Sequence, residues 1–390
     1  MLPSEFQRRL HKKLDSLTDE HRLRPRRTVI AQDSTTCTVD GQICVNFASN
    51  DYLGLAFHPE TTAAFAEAAG TQAGSTASAL VAGRTDWHCR LETELRCFEE
   101  AEGVLLFPSG FAANLGTLTS LVTANDAVFC DRDNHASIID GCRAADGRMF
   151  VYHRDSLDHL AASLERRRNE YDQLFIVTDT VFSMDGVLAP LPRLCDIAES
   201  TGAVLIVDEA HGTGIFGSRG QGVCELMGVH NRVPVRIGTL SKAVGAMGGF
   251  VAGDSNLIDV LWNTARTQFF STALPPAVCA AAVASLRVMR RDQDRLRRLH
   301  DRCQLARQIV ADRGLVSIDG SQGPIVPIVT GADDLAVEAS QKLMNAGFFV
   351  PAIRPPTVPT GTARLRMSIN CEHSESQIEQ AVSEICKAVN

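Results

Sequence analysis

Long apolar runs are missing from this sequence, and so are several motifs that would define a class of protein by themselves. No run of 18 or more apolar residues occurs, so we expect no membrane-spanning helix. The N-terminal stretch "MLPSEFQRRLHKKLDSLTDEHRLRPRR" carries charges where a secretion signal needs an apolar block, which predicts a cytoplasmic protein. No two of the 12 cysteines form a C-x-x-C motif, and we expect reduced core thiols and no metal site.

The charge balance excludes another group of partners. A formal net charge of -8 with mixed signs argues against nucleic acid as the main partner. The arginines of "MRRDQDRLRRLHDR" are a local exception, which we interpret as a solvated helix face. Internal repeats and low-complexity segments are also absent. A chain of 390 residues with 45% hydrophobic residues therefore predicts a globular protein of two to three domains.

What the sequence does contain is an alternation of short apolar runs with longer amphipathic segments. The runs are rich in Val, Ile and Phe, which is typical of buried strands. They read "DAVFC", "RMFVY", "LFIVTD", "AVLIVD" and "VRIGT". Helical patterns such as "SLDHLAASLERRRNEY" and "PLPRLCDIAESTG" lie between them. This order predicts an α/β fold with a mostly parallel central sheet over roughly residues 50–270.

The pattern changes after "STALPPAV". A long helical stretch over about 276–312 is followed by "PIVPIVTG", "AVEASQKLMNAG", "FFVPAI", "ARLRMSI" and a final helix. We therefore predict a large domain over 49–275 and a smaller α+β domain over 276–390. Residues 1–48 are predicted to form an N-terminal arm that packs with the small domain.

Polar residues follow several of the predicted strands. In open parallel sheets, ligands bind beyond the carboxyl ends of the strands. Asp208 ends one predicted strand, and His211 follows three residues later. An aspartate in this position could also be an ordinary helix cap or an ion-pair partner. Ser109 and Gly110 precede a helical pattern whose free N–H groups could hold a phosphate, or they could form an ordinary helix cap. His135 stands near the start of another helix, where a capping or surface role is equally compatible with the pattern.

Lys242 makes the combination more specific. It is the only lysine of the glycine-rich stretch "GTLSKAVGAMGGFVAG", where small neighbours would let a cofactor aldehyde approach and form a Schiff base. A pyridoxal phosphate site needs such a lysine, a carboxylate for the pyridine nitrogen and a phosphate cradle. Lys242, Asp208 and the segment at Ser109 can supply all three.

At these residues the sequence resembles a known family. "DEAHGTG", "TLSKAVGAMGG" and "FSTALPP" resemble the fold type I pyridoxal-phosphate enzymes, and within them the α-oxoamine synthases. Those enzymes condense an amino acid with an acyl thioester and release carbon dioxide. The resemblance covers nearly the whole chain, from "NFASNDYLGL" to "IRPPTVPTGTARLRMSI", and the "IRPPTVP" run is most similar to the biotin-pathway branch of the family.

The resemblance implies a role for individual residues. Lys242 matches the Schiff-base lysine, Asp208 the partner of the pyridine nitrogen, His211 the donor to the phenolic oxygen and His135 the histidine stacked on the ring. The remaining implied cofactor contacts are Ser109, Gly110, Phe111, Ser183, Thr239, Ser271 and Thr272, the last two reaching across from a second subunit of a homodimer. The implied substrate contacts are Arg364 for the amino-acid carboxylate, Asn50, Ser78 and Arg24.

The resemblance also implies the reaction. Alanine would bind to the cofactor, and the freed amine of Lys242 would remove its Cα proton. The carbanion would attack the thioester carbonyl of pimeloyl-CoA or a pimeloyl-carrier protein, and the resulting β-keto acid would lose carbon dioxide. One departure concerns the acyl donor, because "GSTASALVAG" has Thr76, Ala77 and Ala79 where relatives more often carry glycine or arginine. Another is Asp179 and Thr180, where glutamate and glycine are more usual, a change that we expect the fold to absorb.

Three alternatives stay open at this point. The nearest is a sister α-oxoamine synthase, such as a glycine C-acetyltransferase or another acyl-condensing enzyme. A nicotinamide oxidoreductase would also suit a parallel sheet, but no G-x-G-x-x-G follows an early strand. A non-catalytic subunit of the same fold could dispense with its lysine, yet Lys242, Asp208 and His211 are all present.

Overall fold

The computed structural model describes residues 2–389, which form alternating strands and helices. The strands are β1 Val29–Ala31, β2 Thr36–Val39, β3 Gln42–Asn46, β4 Gly103–Phe107, β5 Ala127–Asp131, β6 Arg148–Tyr152, β7 Leu174–Asp179, β8 Val204–Asp208, β9 Val235–Thr239, β10 Gly249–Gly253, β11 Ile325–Gly331, β12 Phe348–Phe349, β13 Ala352–Ile353 and β14 Ala363–Ser368. The helices are α1 Ser4–Asp19, α2 Pro59–Ala69, α3 Asp86–Phe98, α4 Gly110–Leu121, α5 Ala136–Ala144, α6 Leu157–Arg167, α7 Leu191–Thr201, α8 Val223–Leu226, α9 Ser255–Thr264, α10 Arg266–Phe269, α11 Pro276–Arg291, α12 Gln293–Asp312, α13 Asp333–Asn345 and α14 Glu375–Val389.

The chain separates into two compact units. The larger unit contains residues 50–183 and 187–298, and the smaller unit contains residues 2–49, 184–186 and 299–389. This partition differs from the predicted division at 275/276, because α11 packs against α2 and α3 of the larger unit. The predicted single stretch over 276–312 is two helices, α11 and α12, separated at Asp292.

A seven-stranded sheet forms the centre of the larger unit. Its strand order is β4-β10-β9-β8-β7-β5-β6. The neighbours from β9 to β6 pair in parallel, whereas β10 runs antiparallel to both β4 and β9. The predicted α/β class with a mostly parallel sheet is therefore confirmed. Strands β5, β7 and β9 are buried at every position, so they read as continuous apolar runs.

The smaller unit contains two further sheets. Strands β1, β2, β3 and β12 form one, in which β3 pairs in parallel with β12, and β11, β14 and β13 form an antiparallel sheet. Residues 29–46 thus share a sheet with residues 348–349, more than 300 positions later in the chain. A membrane-crossing helix is not found in the described part of the chain, since none combines the necessary length and apolarity.

Arg290 and Arg291 of the basic run, and Arg287 just before it, have acidic partners on the surface of the larger unit. Arg287 Nε donates to Glu94 at 2.7 Å, Arg290 also contacts Glu94, and Arg291 contacts Glu60. All three arginines are largely exposed. Arg290 and Arg291 therefore lie on a solvated helix face as interpreted, whereas Arg295 of the same run is only 14% exposed and donates to the main-chain oxygen of Leu53.

One ion pair of the larger unit is buried. Arg236 Nε lies 3.5 Å from Glu99 Oε2, and both side chains are almost completely shielded from solvent. Arg236 also donates to the main-chain oxygens of Glu99 and Val233. Burial raises the pKa of Glu99 to about 7, because the loss of hydration outweighs the attraction of Arg236.

Candidate active site

The carboxyl ends of the parallel strands bring three predicted site residues into one region of the larger unit. Asp208 ends β8, Thr239 ends β9 and Lys242 follows three residues later. Asp208 stands directly beside Asp179, the last residue of β7, in the register of the sheet. This edge is where a parallel sheet leaves main-chain and side-chain polar groups open to a ligand.

Asp208 is a buried carboxylate whose two oxygens both have donors. Asn114 Nδ2 donates to Oδ2 at 2.6 Å, and the main-chain N–H of Ala210 donates to Oδ1 at 2.6 Å. The side chain is only 5% exposed. Its position is therefore fixed by α4 on one side and by its own loop on the other.

Asp179 adds a second acidic group beside Asp208. Burial, together with the charge of Asp208, raises the pKa of Asp179 well above its usual range, while the charge of Lys242 acts in the opposite direction. Asp179 Oδ2 accepts a 2.6 Å hydrogen bond from the main-chain N–H of His135. The aspartate that departs from the usual family residue thus holds the start of α5.

Lys242 lies in a loop that depends on glycine. Gly245 has a φ of 69°, in the left-handed region that glycine adopts without strain. A Cβ on Gly245 would lie 2.4 Å from the main-chain nitrogen of Ala56, and one on Gly249 would lie 2.4 Å from the main-chain oxygen of Ser109. The glycines around Lys242 therefore let its loop and β10 approach two neighbouring backbones closely.

The N-terminus of α4 forms a candidate anion cradle. Ser109 caps the helix, with its Oγ accepting from Ala112 N at 3.1 Å. The N–H groups of Gly110 and Phe111 have no acceptor within residues 2–389. A Cβ on Gly110 would meet the Cβ and Oγ1 of Thr239 at 3.3 Å, so glycine keeps this approach open. Two available donors at the positive end of a helix suit a phosphate.

The two predicted histidines have well-defined partners. His135 caps α5, and burial lowers its pKa, with Asp208 and Lys242 acting in opposite directions. His211 is 7% exposed, and its Nδ1 lies 2.9 Å from the hydroxyl of Tyr52. That hydroxyl also donates to Asn50 Oδ1 at 3.0 Å. Asn50 and His211, which the sequence singled out separately, are therefore joined through Tyr52.

The predicted residues Ser78 and Thr272 are neighbours in the larger unit. Ser78 and Thr272 form an isolated antiparallel bridge, and Ala273 N donates to Ala77 O at 3.0 Å. Ser271 is next to this bridge, and Ser183 is a half-buried residue shortly after β7. Within one chain, the segments at 78 and 272 are thus neighbours.

Arg364 and Arg24 belong to the smaller unit. Arg364 lies on β14, is 4% exposed and forms an ion pair with Asp185. Its Nε and Nη2 donate to the main-chain oxygen and the Oγ1 of Thr362 at 3.0 and 3.1 Å. Arg24 is exposed on the arm, and its charge adds to burial in lowering the pKa of Arg354.

Sequence reasoning missed several residues that contact the predicted ones, among them Tyr52, Asn114, Ser137 and Asp185. Asn114 carried a usable signal, since it lies four residues after Gly110 and so on the same face of α4. The other three acquire their partners only through the fold.

No group of three or more His, Cys, Asp or Glu side chains suited to a metal occurs among residues 2–389. The arrangement of Asp208, Lys242 and α4 fits a group that carries a ring nitrogen, an aldehyde and a phosphate.

Comparison with known proteins agrees with this arrangement. The model of the family "Aminotransferase class I and II" matches residues 42–385. The 8-amino-7-oxononanoate synthase of Methylococcus capsulatus is 45% identical over 93% of this chain and 94% of its own length. That of Cellvibrio japonicus is 40% identical over 100% of this chain and 98% of its own length.

A solved structure extends the likeness to three dimensions. A serine palmitoyltransferase from S. paucimobilis, solved with a PLP–myriocin aldimine, superposes with a TM-score of 0.92 at 30% identity, covering 97% of this chain and 96% of that one. Family model, full-length relatives and fold therefore agree, and the chain belongs to the aminotransferase class I and II family, within its α-oxoamine synthases.

Proposed function

We propose that this chain is a pyridoxal-phosphate-dependent acyltransferase of biotin biosynthesis. It joins L-alanine to a pimeloyl thioester, carried by coenzyme A or by a carrier protein. The products are 8-amino-7-oxononanoate, carbon dioxide and the free thiol. The observation that carries the proposal is the buried Asp208 at the end of β8, in a region that also holds Lys242 and the uncovered N-terminus of α4.

The residues of the larger unit suit this cofactor. Asp208 would hold the proton on the pyridine nitrogen, Lys242 would link to the aldehyde, and Gly110 and Phe111 N–H would bind the phosphate with Ser109 and Thr239. When bound, pyridoxal phosphate supplies an electron sink for the pair released at the amino-acid Cα. His135 would pack on the ring, His211 would donate to its phenolic oxygen, and Ser183 would lie close to it.

The protein's own groups then act on the amino acid. The Lys242 amine, once free, takes the Cα proton and returns a proton after carbon dioxide has left. Arg364 binds the carboxylate of alanine and so orients the Cα–H bond. Asn50, Ser78 and Arg24 border the substrates, with Ser78 in the loop whose composition departs from that of the relatives.

The proposal includes a homodimer in which Ser271 and Thr272 contact the partner's cofactor. Large apolar side chains on the larger unit support it, because Val81 is 79%, Phe270 is 68% and Met247 is 54% exposed. Such side chains stabilise the folded protein only when another surface covers them. A monomer by light scattering with full activity would contradict this part.

The test begins with the cofactor. The purified chain should absorb at about 420 nm after incubation with pyridoxal phosphate, the range of a cofactor aldehyde joined to lysine. Borohydride reduction followed by peptide mass spectrometry should place the cofactor on Lys242. Lys242→Ala should lose that attachment and all turnover while its circular dichroism stays unchanged. Normal turnover by Lys242→Ala would rule out the proposed role.

Substrate pairs then separate this activity from its sister reactions. Alanine with pimeloyl-CoA or a pimeloyl-carrier protein should give thiol and carbon dioxide in equal amounts. Glycine with acetyl-CoA and serine with palmitoyl-CoA should be turned over far more slowly. Faster turnover of either control pair would leave the cofactor assignment intact but would show that the proposed substrates are wrong.

A further inference from the structure

A continuous chain of hydrogen bonds connects Asp208 with His135 through two residues that have no role so far. Asn114 Nδ2 donates to Asp208 Oδ2 at 2.6 Å and to Ser137 Oγ at 2.9 Å. Ser137 Oγ lies 2.7 Å from His135 Nδ1. Asn114 and Ser137 are each 1% exposed, so water does not compete for these bonds. The chain therefore joins α4, α5 and the end of β8.

The direction of every hydrogen bond in this chain can be assigned. Asp208 Oδ2 accepts, so the group of Asn114 that faces it must be the amide NH₂. The second hydrogen of that NH₂ points to Ser137 Oγ, which leaves the serine hydroxyl hydrogen for His135 Nδ1. The main-chain N–H of Ser137 also donates to His135 Nδ1, at 3.3 Å. Two donors directed at Nδ1 require a lone pair there, and the ring proton must be on Nε2.

The groups around His135 agree with a neutral ring. Burial lowers the pKa of His135, and the positive charge of Lys242 lowers it further. The negative charges of Asp208 and Asp140 act in the opposite direction. Asp179 Oδ2 accepts from the main-chain N–H of His135.

We propose that Asn114 and Ser137 are positioning residues that hold His135 as a neutral imidazole with its proton on Nε2 and couple it to Asp208. The inference rests on the proposed function in one respect, namely that His135 lies against the cofactor ring. A neutral imidazole adds no positive charge beside a protonated pyridine, so it leaves that proton on the ring. An imidazolium in its place would repel the proton that Asp208 retains.

The coupling has a structural consequence. The amide of Asn114 donates both to Asp208, the proposed partner of the ring nitrogen, and to Ser137, which orients His135. Replacing Ser137 should disturb His135 alone, whereas replacing Asn114 should disturb His135 and Asp208 together.

Nitrogen NMR of histidine-labelled protein, purified with pyridoxal phosphate, tests the proposal directly. Long-range proton–nitrogen correlations distinguish the two neutral tautomers from the imidazolium, and the His135 signal is assigned by its loss in His135→Gln. Wild-type His135 should be the Nε2–H tautomer at pH 7.5. In Ser137→Ala the signal should show tautomer exchange, and its protonation midpoint should rise by about 0.5 to 1 pH unit.

A matched control separates this effect from the loss of any buried hydroxyl. Ser285 is also fully buried in the larger unit, where its Oγ lies 3.0 Å from Thr61 Oγ1. Ser285→Ala should leave the tautomer and midpoint of His135 unchanged. Wild-type His135 found as the Nδ1–H tautomer or as imidazolium would overturn the proposal, and so would an unchanged signal in Ser137→Ala. The tautomer can be read even if the band at about 420 nm is absent, so failure of the proposed function is recognised separately.

Discussion

Arg364 should determine how tightly the protein holds its amino-acid substrate, and Arg364→Ala tests this. The guanidinium is 4% exposed and is aligned by Thr362 and Asp185, so its fork is already oriented before substrate binds. A charge-assisted hydrogen bond contributes about 1.5 to 3 kcal/mol, and a carboxylate held by two of them about 2 to 4 kcal/mol. Because Asp185 competes for the same group, we expect the lower half of that range.

The expected loss is therefore about 30-fold to 150-fold in affinity for alanine. The assay is a titration with alanine that follows the change in cofactor absorbance, so binding is measured without the acyl donor. Bound cofactor should be retained, and Arg364→Lys should not restore affinity because an ammonium group cannot form the fork.

Arg366 provides the matched control on the same strand. It is also buried, and its Nη1 donates to Ser368 Oγ at 2.9 Å. Arg366→Ala should lower the free energy of unfolding while leaving the affinity for alanine near that of the wild type. Unchanged affinity in Arg364→Ala would refute the reasoning, and a large loss in Arg366→Ala would move the carboxylate site to that residue.

Three further predictions concern the fold around the site. The pKa of Glu99 is about 7 in the folded protein and 4.5 in the unfolded chain, so between these values the folded state binds more protons. As the pH rises from 4.5 to 7, the wild type should therefore lose about 3 kcal/mol of unfolding free energy relative to Glu99→Gln. Denaturant titrations of both proteins would show no such slope if the carboxyl titrates normally. Thr76 is β-branched and has a φ of 56°, in the left-handed region that strains such a residue. Thr76→Gly should therefore stabilise the protein by about 1 kcal/mol in the same denaturant titrations. A loss of stability would contradict this argument. Gly249→Ala should weaken cofactor binding at least tenfold, as measured by cofactor absorbance. The reason is that the alanine Cβ would push against the backbone of Ser109 and Gly110. Unchanged binding would show that this part of the anion cradle is not rigid.

The central sheet was largely predictable because strands such as β5, β7 and β9 are buried on both faces. "RMFVY", "LFIVTD" and "VRIGT" are the strands β6, β7 and β9 with their limits unchanged. β10 was not predicted, since "GFVAG" combines apolar residues with two glycines and its antiparallel direction follows from a hairpin-like return around Lys242. The boundary near residue 275 was placed from a change in pattern, and the packing of α11 on the larger unit depends on tertiary contacts that no local pattern carries.

The candidate site likewise contains residues that the sequence could predict and residues that it could not. Asp208, Lys242 and Ser109 could be predicted as site residues because the end of a strand and the start of a helix leave signals in the local sequence. Asn114 and Ser137 lie inside helices, and their proposed role depends on α4 and α5 packing side by side. Their sequence separation of 23 residues has no periodicity that would link them. The pairing of Arg364 with Asp185 crosses 179 positions and is equally invisible before folding.

The parallel pairing of β3 with β12 has a consequence for synthesis on the ribosome. Val45 N–H donates to the main-chain oxygen of Gly347, so one strand of this sheet must wait for a partner made some 300 residues later. At translation rates of about 5 to 20 residues per second, the delay is on the order of 15 to 60 seconds. Through that time β3 presents an open edge, and the larger unit can finish folding first. The nascent N-terminal arm is therefore the segment that we expect chaperones to bind, and stalled or truncated chains should expose it to proteases.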